Sequence, residues 1–543
     1  MPIHAKTSRN QSNTVLRPVQ GRVLAAIGAL VLVGGLAGIE SATAGPPPVN
    51  PLVQISGPSP FAGCTADGTP GNTGTNYPDS EIEPWVAVNP TDPDNIVAGW
   101  QQDRWDNGGS RGLVAGVSSD GGATWQPVVI PKISLCSAGA YERATDPWLT
   151  FSPNGDAYFF SLAFDMTTPP DRPGGFGPNA MLVSRSTDGG LTWGDPITVI
   201  RDDDPRVLND KNSITADPTD SDFVYAVWDR LTITTADAIN PENISPANPP
   251  AFGVRFGLAF KGPAYFSRTT NGGQSWEPAR SIYDPGANNQ TIANQIVVLP
   301  NGTVIDFFTE ILGNRNNDHN GRGFNYNLAL IRSFDKGATF RTKPQPIRAA
   351  RILSNGTVTP DDQAPVRDAS ALFDVAVDRN NGNLYAVWQD ARFRGVDEVA
   401  FAMSTDGGDT WTTPTRINQT PANANTLRQQ AFVPSVAVND AGVLTVTYYD
   451  FRNDGAAGEL TDHWAVFCSP SAEDCSSAAS WGDEVRLTDV SFNMLDAPVA
   501  GGHFLGDYMG LATAGNDGLP VFGIADDPDE TSIFIRRILG PSS

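Results

Sequence analysis

A turn motif of the form Ser-x-Asp-x-Gly-x-Thr-Trp recurs five times along this 543-residue chain. Complete copies lie at 118–125 (SSDGGATW), 186–193 (STDGGLTW) and 404–411 (STDGGDTW), and degenerate copies at 269–276 (TTNGGQSW) and 333–340 (SFDKGATF). In such a turn the Asp or Asn side chain accepts backbone hydrogen bonds, glycine permits positive φ, and the aromatic residue packs beneath. Five copies predict a repeat architecture.

Each copy joins two short apolar strands, and a second hairpin precedes it. In the fifth unit this hairpin runs from 373–377 through the turn DRNNGN to 384–388. Comparable hairpins begin near Trp85, Trp148, Ser213, Gln295, Phe373, Ser435 and Tyr508. Four strands in each unit of roughly 60 to 80 residues are typical of propeller blades. The sequence therefore predicts an all-β fold, a β-propeller of four-stranded antiparallel blades.

Seven blades are favoured, and six are the alternative if one copy is misread. The seventh copy offers an inner hairpin and a third strand at 532–538 before the chain ends. A strand at 52–55 is available as its fourth, so we expect the N-terminal strand to join the C-terminal blade and close the ring. Residues 45–543 would then form a single propeller domain.

Residues 1–44 are typical of a signal peptide. Lys6, Arg9, Arg17 and Arg22 precede the apolar run 23–37, and ATA at 42–44 fits a cleavage site. An uncleaved anchor is the alternative, but the run is short for a span and is interrupted by glycines. We expect a secreted or periplasmic protein with no membrane span in the mature chain.

The acidic composition bears on partners. Residues 1–44 hold four of the 36 basic and one of the 60 acidic residues, so their removal takes the formal charge from −24 to −27. Such a surface repels phosphate backbones, which argues against nucleic-acid binding. We expect a monomer whose partner is a glycan or polysaccharide.

Four cysteines in an exported chain predict disulfides. Cys468 and Cys475 are close enough in sequence to staple one hairpin, which leaves Cys64 to pair with Cys136. The first pair falls in the sixth unit, where the turn motif is missing, and Trp481 follows where the aromatic residue of the motif would fall. We expect the disulfide to replace the motif there.

The repeated turn resembles the Asp-box of the BNR/Asp-box proteins, a group that includes the sialidases. The resemblance covers nearly all of the chain after residue 44, and it implies a sialidase-like propeller. In that family the boxes lie on outer hairpin turns, away from the active site. The resemblance therefore assigns a structural role to Asp120, Asp188, Asn271, Asp335 and Asp406.

The resemblance also implies a catalytic apparatus. Sialidases use an arginine triad for the substrate carboxylate, a Tyr nucleophile assisted by a Glu, and an Asp acid/base. The family places its first arginine in a Phe/Tyr-Arg-Ile-Pro motif near the first blade. Here the matching segment is 81–85 (EIEPW), which carries Glu81 and Glu83 and has no arginine. This departure argues against sialic acid as the substrate.

In a propeller the ends of the second strands face the central funnel, and here each carries a carboxylate. These are Asp103, Asp165, Asp229, Glu310, Asp390, Asp450 and Asp526. The predicted substrate-binding residues are Arg143, Arg230, Arg392, Arg452, Asp103, Asp229, Asp390 and Asp450. The alternative is structural: each Asp with its nearby Arg would bridge neighbouring blades. The two interpretations differ in whether the four guanidinium groups converge or are each paired with an acid.

Irregular segments at the starts of the first strands are more informative, because catalysis breaks repeat symmetry. They lie at 141–146, 209–212, 367–368 and 503–508. If glycoside cleavage occurs, we expect Tyr508 as the nucleophile, Glu310 as its base and Asp146 as the acid/base. A tyrosine that begins a strand is also a common core residue.

The histidines do not predict a metal site. His319, His463 and His503 all map to the loop face, but their spacing matches no ligand motif. If the protein binds an ion, calcium suits so carboxylate-rich a chain better than zinc does.

Two functions remain open at this stage. The first is a secreted, sialidase-like propeller that acts on glycans as an exo-glycosidase, including the variant that cleaves uronic or other acidic sugars. The second is a non-catalytic propeller that binds an extracellular polysaccharide or protein, suggested by the missing arginine motif.

Overall fold

Antiparallel β-strands make up nearly all of the regular structure. The computed structural model describes residues 45–69, 74–166, 176–233, 260–313, 325–341, 346–455, 459–527 and 530–540. These belong to one compact unit, Gly45–Ser543. The predicted signal peptide at 1–44 and His319 lie outside the described residues. Among the residues described, no helix has the length and apolar character needed to span a membrane.

The described strands pair into seven sets of four. The N-terminal strand is β1 (Val53–Gln54). Set 1 contains β2 (Asn76–Val88), β3 (Ile96–Trp105), β4 (Ser110–Ser118) and β5 (Gln126–Val129). Set 2 contains β6 (Arg143–Phe151), β7 (Ala157–Phe164), β8 (Asn179–Ser186) and β9 (Ile197–Asp202). A single bridge between Ser110 and Ala144 joins these two sets into one sheet.

Sets 3 and 4 follow the same plan. Set 3 contains β10 (Val207–Ala216), β11 (Phe223–Ile233), β13 (Ala264–Thr270) and β14 (Arg280–Tyr283), and the short β12 (Phe260–Lys261) also pairs with β11. Set 4 contains β15 (Gln290–Val298), β16 (Val304–Leu312), β17 (Asn325–Ser333) and β18 (Ile347–Ile352).

The last three sets complete the order. Set 5 contains β19 (Phe373–Val377), β20 (Leu384–Asp390), β21 (Glu398–Ser404) and β22 (Thr415–Arg416). Set 6 contains β23 (Ala431–Val438), β24 (Leu444–Asp450), β25 (Leu460–Cys468) and β26 (Gly482–Arg486), and β27 (Phe492–Asn493) also pairs with β25. Set 7 contains β28 (Gly510–Ala514), β29 (Asp517–Asp527), β30 (Glu530–Ile535) and β1. Short 3-10 helices cover Leu135–Ser137, Thr426–Gln429, Ala478–Ser480 and Met494–Asp496.

These pairings confirm the predicted all-β architecture of four-stranded antiparallel sheets. The predicted strand at 52–55 is found as β1, which pairs with β30 through Val53 opposite Ile535. The first strand of each set contacts the first strand of the next, in the order β2, β6, β10, β15, β19, β23 and β28, and β28 also contacts β2. One boundary was predicted too late: β2 begins at Asn76 rather than near Trp85, because bulges at Asp79 and Glu83 hide the alternation of apolar residues.

The core lies between the sets. The second strands are buried on both faces, as β3 and β7 illustrate. One face of β3 presents Val97 to Leu149 and Phe159 of set 2. The opposite face presents Ile96 and Trp100 to the strands of set 7. Because successive side chains of a strand point to opposite faces, each set is packed between two neighbours.

The repeated turns form as their sequence predicts. The Asp120 Oδ1 atom accepts hydrogen bonds from the backbone amides of Ala123, at 3.0 Å, and Thr124, at 2.9 Å. Equivalent 2.9 Å bonds run from Thr192 to Asp188 and from Thr410 to Asp406. The turn of each motif also packs on the preceding set in the chain, or on set 7 for the first motif.

Glycine at the fifth position of the motif makes this packing possible. A Cβ atom added to Gly273 (φ 79°) would lie 2.5 Å from Cε1 of Tyr158 in set 2. One added to Gly337 would lie 2.7 Å from Phe266 in set 3, and one added to Gly190 would lie 2.7 Å from Val97 in set 1. A side chain at these positions would force neighbouring sets apart.

Two adjacent glycines separate the effect of packing from that of backbone conformation. Gly272 also has positive φ (64°), but an added Cβ would meet nothing closer than 3.8 Å. We expect Gly272→Ala to cost about 1 kcal/mol of unfolding free energy from φ alone, and Gly273→Ala about 3 kcal/mol, since the methyl group also overlaps Tyr158. Urea unfolding of both variants measures the difference, and equal losses would contradict the packing role.

Both predicted disulfides are present. Cys64–Cys136 closes a loop of 72 residues and ties the segment before β2 to the 3-10 helix Leu135–Ser137. Cys468–Cys475 spans 7 residues in the turn between β25 and β26. There the indole of Trp481 donates to the Cys475 carbonyl at 2.9 Å and packs against Phe401. In set 6 the disulfide and this tryptophan thus occupy the outer turn that the motif forms elsewhere.

Loop length predicts unequal contributions from the two disulfides. Chain-entropy arguments give about 4 kcal/mol for the longer loop and about 2.5 kcal/mol for the shorter one. We expect Cys64→Ala/Cys136→Ala to lower the unfolding free energy more than Cys468→Ala/Cys475→Ala, as measured by urea unfolding without reductant. A larger loss in the second variant would show that the Cys468–Cys475 disulfide stabilises the outer turn of set 6 by more than the entropy of loop closure predicts.

One histidine lies in the core between sets 6 and 7. The His463 ring is fully buried, 4.4 Å from the ring of Phe522 and 4.2 Å from that of Tyr449. Neither ring nitrogen has a hydrogen-bond partner among the described residues. Burial lowers the pKa of His463 to about 3. The imidazole is therefore neutral in the folded protein down to strongly acidic pH.

This histidine should make the fold sensitive to acid. An unfolded histidine has a pKa near 6.5, so protons bind preferentially to the unfolded chain as the pH falls below that value. The stabilisation is present above pH 6.5 and is lost between pH 6.5 and about 3. From pH 7 to 5 we expect the wild type to lose about 2 kcal/mol more than His463→Phe in urea unfolding. Equal losses would mean that the ring is hydrated or hydrogen-bonded in solution.

Candidate functional site

Five of the seven first strands contain a bulge, and every set has a residue with positive φ in its first strand or shortly before it. Pairing shifts register there in β2, β6, β10, β15 and β23. The residues with positive φ are Glu83 (53°), Asp146 (54°), Lys211 (47°), Ala293 (61°), Ala369 (46°), Val433 (49°) and Gly506 (150°). Positive φ is uncommon for residues other than glycine and costs roughly 1 to 3 kcal/mol, so the surrounding structure must hold it.

Charged side chains occupy this position in three consecutive sets, and they meet. The Lys211 ammonium lies 3.6 Å from a carboxylate oxygen of Glu83 and 3.8 Å from one of Asp146. It also lies 2.5 Å from the carboxylate of Asp507, which precedes β28. We call the following group of charged residues the bulge cluster: Glu83, Arg104, Asp146, Asp210, Lys211, Arg367 and Asp507. Sets 4 and 6 place Ala293 and Val433 at the bulge, so the cluster breaks the repeat.

Two arginines extend the cluster. The Arg367 guanidinium binds both carboxylate oxygens of Asp507, at 2.9 and 2.5 Å, and stacks over the ring of Phe504. Arg104 donates to the Gln101 side-chain oxygen at 2.7 Å, and Gln101 donates in turn to Glu83. The Nε atom of Arg104 is buried and has no hydrogen-bond partner among the described residues. The cluster is thus continuous through direct contacts from Arg104 to Arg367.

Burial gives several of these groups unusual pKa values. It raises the pKa of Glu83 to about 8 although Lys211 opposes the shift, and it raises the pKa of Asp210 to about 7, helped by the nearby charge of Asp146. Burial would also raise the pKa of Asp507, but Arg367 and Lys211 hold it below its ordinary value. The site therefore combines a permanent anion with carboxyl groups that exchange protons near neutral pH, as acid–base chemistry requires.

Two pockets adjoin the cluster. The charged pocket is lined by Arg104, Gly109, Thr145, Asp146, Asp210, Lys211 and Arg367. The aromatic pocket is lined by Trp85, Asp507 and Tyr508, with Gln295, Asp374 and Val433 among its other residues. Trp85 stacks on Trp148 at a ring separation of 3.4 Å, and Tyr508 meets both rings edge-on. Charged and aromatic surfaces thus lie side by side.

The structure does not bring Glu310 into contact with Tyr508, its predicted catalytic partner. Asp146 is in the bulge cluster and Tyr508 is in the aromatic group, but Glu310 is not joined to Tyr508. The Tyr508 hydroxyl donates to the Pro147 carbonyl at 3.0 Å. Glu310 instead binds the Tyr283 hydroxyl and Arg348, each at 2.6 Å, because its side chain is directed toward β18 and the end of β14. The predicted pairing of tyrosine and glutamate is therefore not formed, and Glu83 is the glutamate next to this site.

Three of the four predicted arginines form salt bridges with aspartates. Arg230 binds Asp202 at 2.5 Å, Arg392 binds Asp390 at 2.7 Å, and Arg452 binds Asp450 at 2.6 Å. Arg143 donates to the Asn107 side chain at 2.7 Å and lies over the ring of Trp105. Their contacts differ from those of the bulge cluster, so the structure does not bring these guanidinium groups together. Substrate binding by them stays a prediction.

The carboxylates at the ends of the second strands differ in their position relative to the bulges. Asp229 lies opposite Asp210, directly before the bulge of β10, whereas Asp450 lies opposite Ala431, one residue farther from the bulge of β23. Asp103 accepts from Ser59 at 2.7 Å. Asp229 accepts from Thr291 and from the Ala293 amide, both at 2.8 Å, and so ties set 3 to set 4. Several of these acids thus have structural partners.

The irregular segments that the sequence singled out form the bulge cluster, but Asp146 is the one residue of the cluster that was predicted as a site residue. All four irregular segments, at 141–146, 209–212, 367–368 and 503–508, contribute to the bulge cluster. Lys211, Arg367, Asp507 and Glu83 were not predicted as site residues. The available signal was that a lysine, an arginine and acids stand where the corresponding segments of other sets have small or apolar residues.

We identify no set of side chains able to coordinate a metal ion in the described part of the chain. The one cluster there with three potential donor groups is Cys64, Asp67 and Cys136, and its cysteines are joined in a disulfide. The acids of the bulge cluster are instead paired with Lys211 and Arg367. His503 contacts the Ala497 carbonyl at 3.1 Å, and His463 is buried in the core. Calcium binding stays a prediction.

Comparison with known proteins gives distant structural similarity only. No family model and no curated protein sequence matches the chain. A protein of unknown function from Dyadobacter fermentans is similar at 15% identity and a TM-score of 0.46, covering 86% of this chain and 96% of that one. A Hadza microbial sialidase has 13% identity and a TM-score of 0.43, covering 81% and 72%. An α-L-arabinofuranosidase, Arb93A of Fusarium graminearum, has 12% identity and a TM-score of 0.41, covering 90% and 98%. Similarity at this level does not transfer a function to this chain.

Proposed function

We propose that the chain is an exported seven-bladed β-propeller that hydrolyses glycosidic bonds at the bulge cluster. The seven sets are its blades, and the contacts of the first strands from β2 round to β28 and back to β2 support a ring. The pairing of β1 with β30 supports its closure by the N-terminal strand. The sequence of residues 1–44 and the two disulfides support export to an oxidising compartment.

One observation carries the proposed chemistry: the first strands of three consecutive sets bring Glu83, Asp146 and Lys211 into contact at strained bulges. Glycosidases use two carboxyl groups, roughly 5 to 9.5 Å apart, one protonated and one ionised. Because one ammonium lies within 4 Å of both carboxylates, their separation does not exceed this range.

The two acids take different roles in this mechanism. The pKa of Glu83, near 8, keeps its carboxyl protonated at neutral pH, which suits the acid that protonates the leaving-group oxygen. Asp146 lines the charged pocket and accepts from Thr145 at 2.9 Å and from the Lys211 amide at 3.2 Å. The Asp146 carboxylate would then activate water or attack the anomeric carbon.

The aromatic rings beside the cluster suit a sugar ligand. Trp85 and Tyr508 line the pocket that Asp507 shares, and both are only partly buried. Pockets for small ligands combine aromatic surfaces with a few placed polar groups, as found here. Tyr508 stays an alternative nucleophile, although burial raises the pKa of its hydroxyl well above the ordinary value and so disfavours the phenolate.

The test is turnover of a panel of fluorogenic glycosides by the exported protein, with and without calcium. We expect Glu83→Gln and Asp146→Asn to lower kcat roughly 10²- to 10⁴-fold, because each removes a proton-transfer group. Tyr508→Phe should retain most activity if Asp146 is the nucleophile or base. The matched control is Asp378→Asn, which alters a buried carboxylate in the turn between β19 and β20 that accepts from the Asn380 amide and lines neither pocket.

The second candidate function is a glycan-binding propeller without catalysis. The pairing of Arg230, Arg392 and Arg452 with acids favours it, since ion pairs between side chains of the protein serve structure rather than substrate binding. Glycan binding by the folded wild type, measured by calorimetry, with no turnover of any glycoside would establish this function. Activity lost in Tyr508→Phe but retained in Asp146→Asn would instead favour the tyrosine mechanism.

A further inference from the structure

Asp507 occupies an unusual place in the bulge cluster. Its two carboxylate oxygens bind Arg367 at 2.9 and 2.5 Å, and one of them also binds the Lys211 ammonium at 2.5 Å. The Asp507 side chain is only 3% exposed. The remaining Arg367 nitrogen donates to the Ala500 carbonyl at 3.2 Å. Both cations thus direct their donors at a single internal anion.

A bidentate arginine assisted by a lysine is a strong receptor for a carboxylate. In this protein Asp507 already supplies that carboxylate. The cations hold the pKa of Asp507 below its ordinary value, so it stays charged. A sugar carboxylate that approached Arg367 and Lys211 would have to displace a covalently attached anion with the same geometry.

We infer that Asp507 is an internal counter-anion that makes the site select uncharged sugars over carboxylated ones. The inference rests on the proposed function for its substrate, but the charge balance that it describes can be tested without any sugar. Asp507 is therefore a specificity-determining residue and takes no part in bond cleavage.

The other charges at the site lead to the same conclusion. Glu83, Asp146 and Asp210 also face Lys211, so acidic side chains surround this cation in addition to Asp507. Arg104 is the remaining cation of the charged pocket, and Gln101 links it to Glu83. The chain as a whole carries a formal charge of −24, which adds a general repulsion of anions.

The groups that remain for recognition suit hydroxyls. Asp146 and Asp210 are acceptors that line the charged pocket, and Arg104 lines it as a donor. The buried Nε of Arg104 has no partner among the described residues. Alternating donors and acceptors of this kind bind the hydroxyl groups of a neutral sugar.

The first test uses formate, which replaces the carboxylate that Asp507→Ala removes. We expect sodium formate to raise the melting temperature of Asp507→Ala above its value in sodium chloride of equal ionic strength, and to leave the wild type unchanged. Asp374→Ala is the matched control, because it removes a buried carboxylate of the aromatic pocket that has no cation partner among the described residues. A folded Asp507→Ala that responds equally to formate and chloride would overturn the inference.

The second test needs only the wild type and so remains decisive if Asp507→Ala does not fold. Binding of matched pairs, glucose with glucuronate and galactose with galacturonate, is measured by calorimetry. We expect at least a tenfold preference for the neutral member, and a reduced or reversed preference in the isosteric Asp507→Asn. Preference of the wild type for the uronate would refute the inference and leave glycan binding intact. A formate response without binding of any sugar would refute the proposed function and leave the counter-anion role standing.

Discussion

The bulges in the first strands of sets 1, 2 and 3 are the constraint on which the site depends. An extra residue in a strand shifts every later side chain to the other face, and the residue at the bulge itself is turned out of the alternation. Glu83, Asp146 and Lys211 therefore leave the faces between sets and meet one another. Their positive φ values are strained for such residues, so the ion pairs and the packed sheets must together maintain this conformation.

The outer turns perform the complementary task of holding the sets in position. Their glycines let the turn backbone lie directly on side chains of the preceding set, as Gly273 does on Tyr158. Set 6 lacks the motif and has the Cys468–Cys475 disulfide with Trp481 in its place. The outer turns thus serve the same packing role in each of these sets although their sequences differ. The side chains of the first strands, in contrast, vary from set to set.

How much could be predicted from the sequence follows from the range of each interaction. Hairpins, turns and the disulfide pairing depend on neighbouring residues and on an alternation of period two, and these were predicted correctly. The position of the acids relative to the bulges was not predictable, because bulges shift register, so that Asp229 and Asp450 lie at different distances from the bulge. The contact between Lys211 and Asp507 joins residues 296 apart in sequence, and no local pattern encodes it.

The bulge cluster is not something that the fold requires. Ala293 and Val433 stand at the same position in sets 4 and 6, where small or apolar side chains satisfy the packing. Burying charged groups is costly, and ion pairs inside a protein are often no more stabilising than apolar residues of similar size. A chain that places Glu83, Lys211, Arg367 and Asp507 together therefore sacrifices stability for an ordered set of charges beside two pockets. Recognition or catalysis at that location explains the arrangement better than folding does.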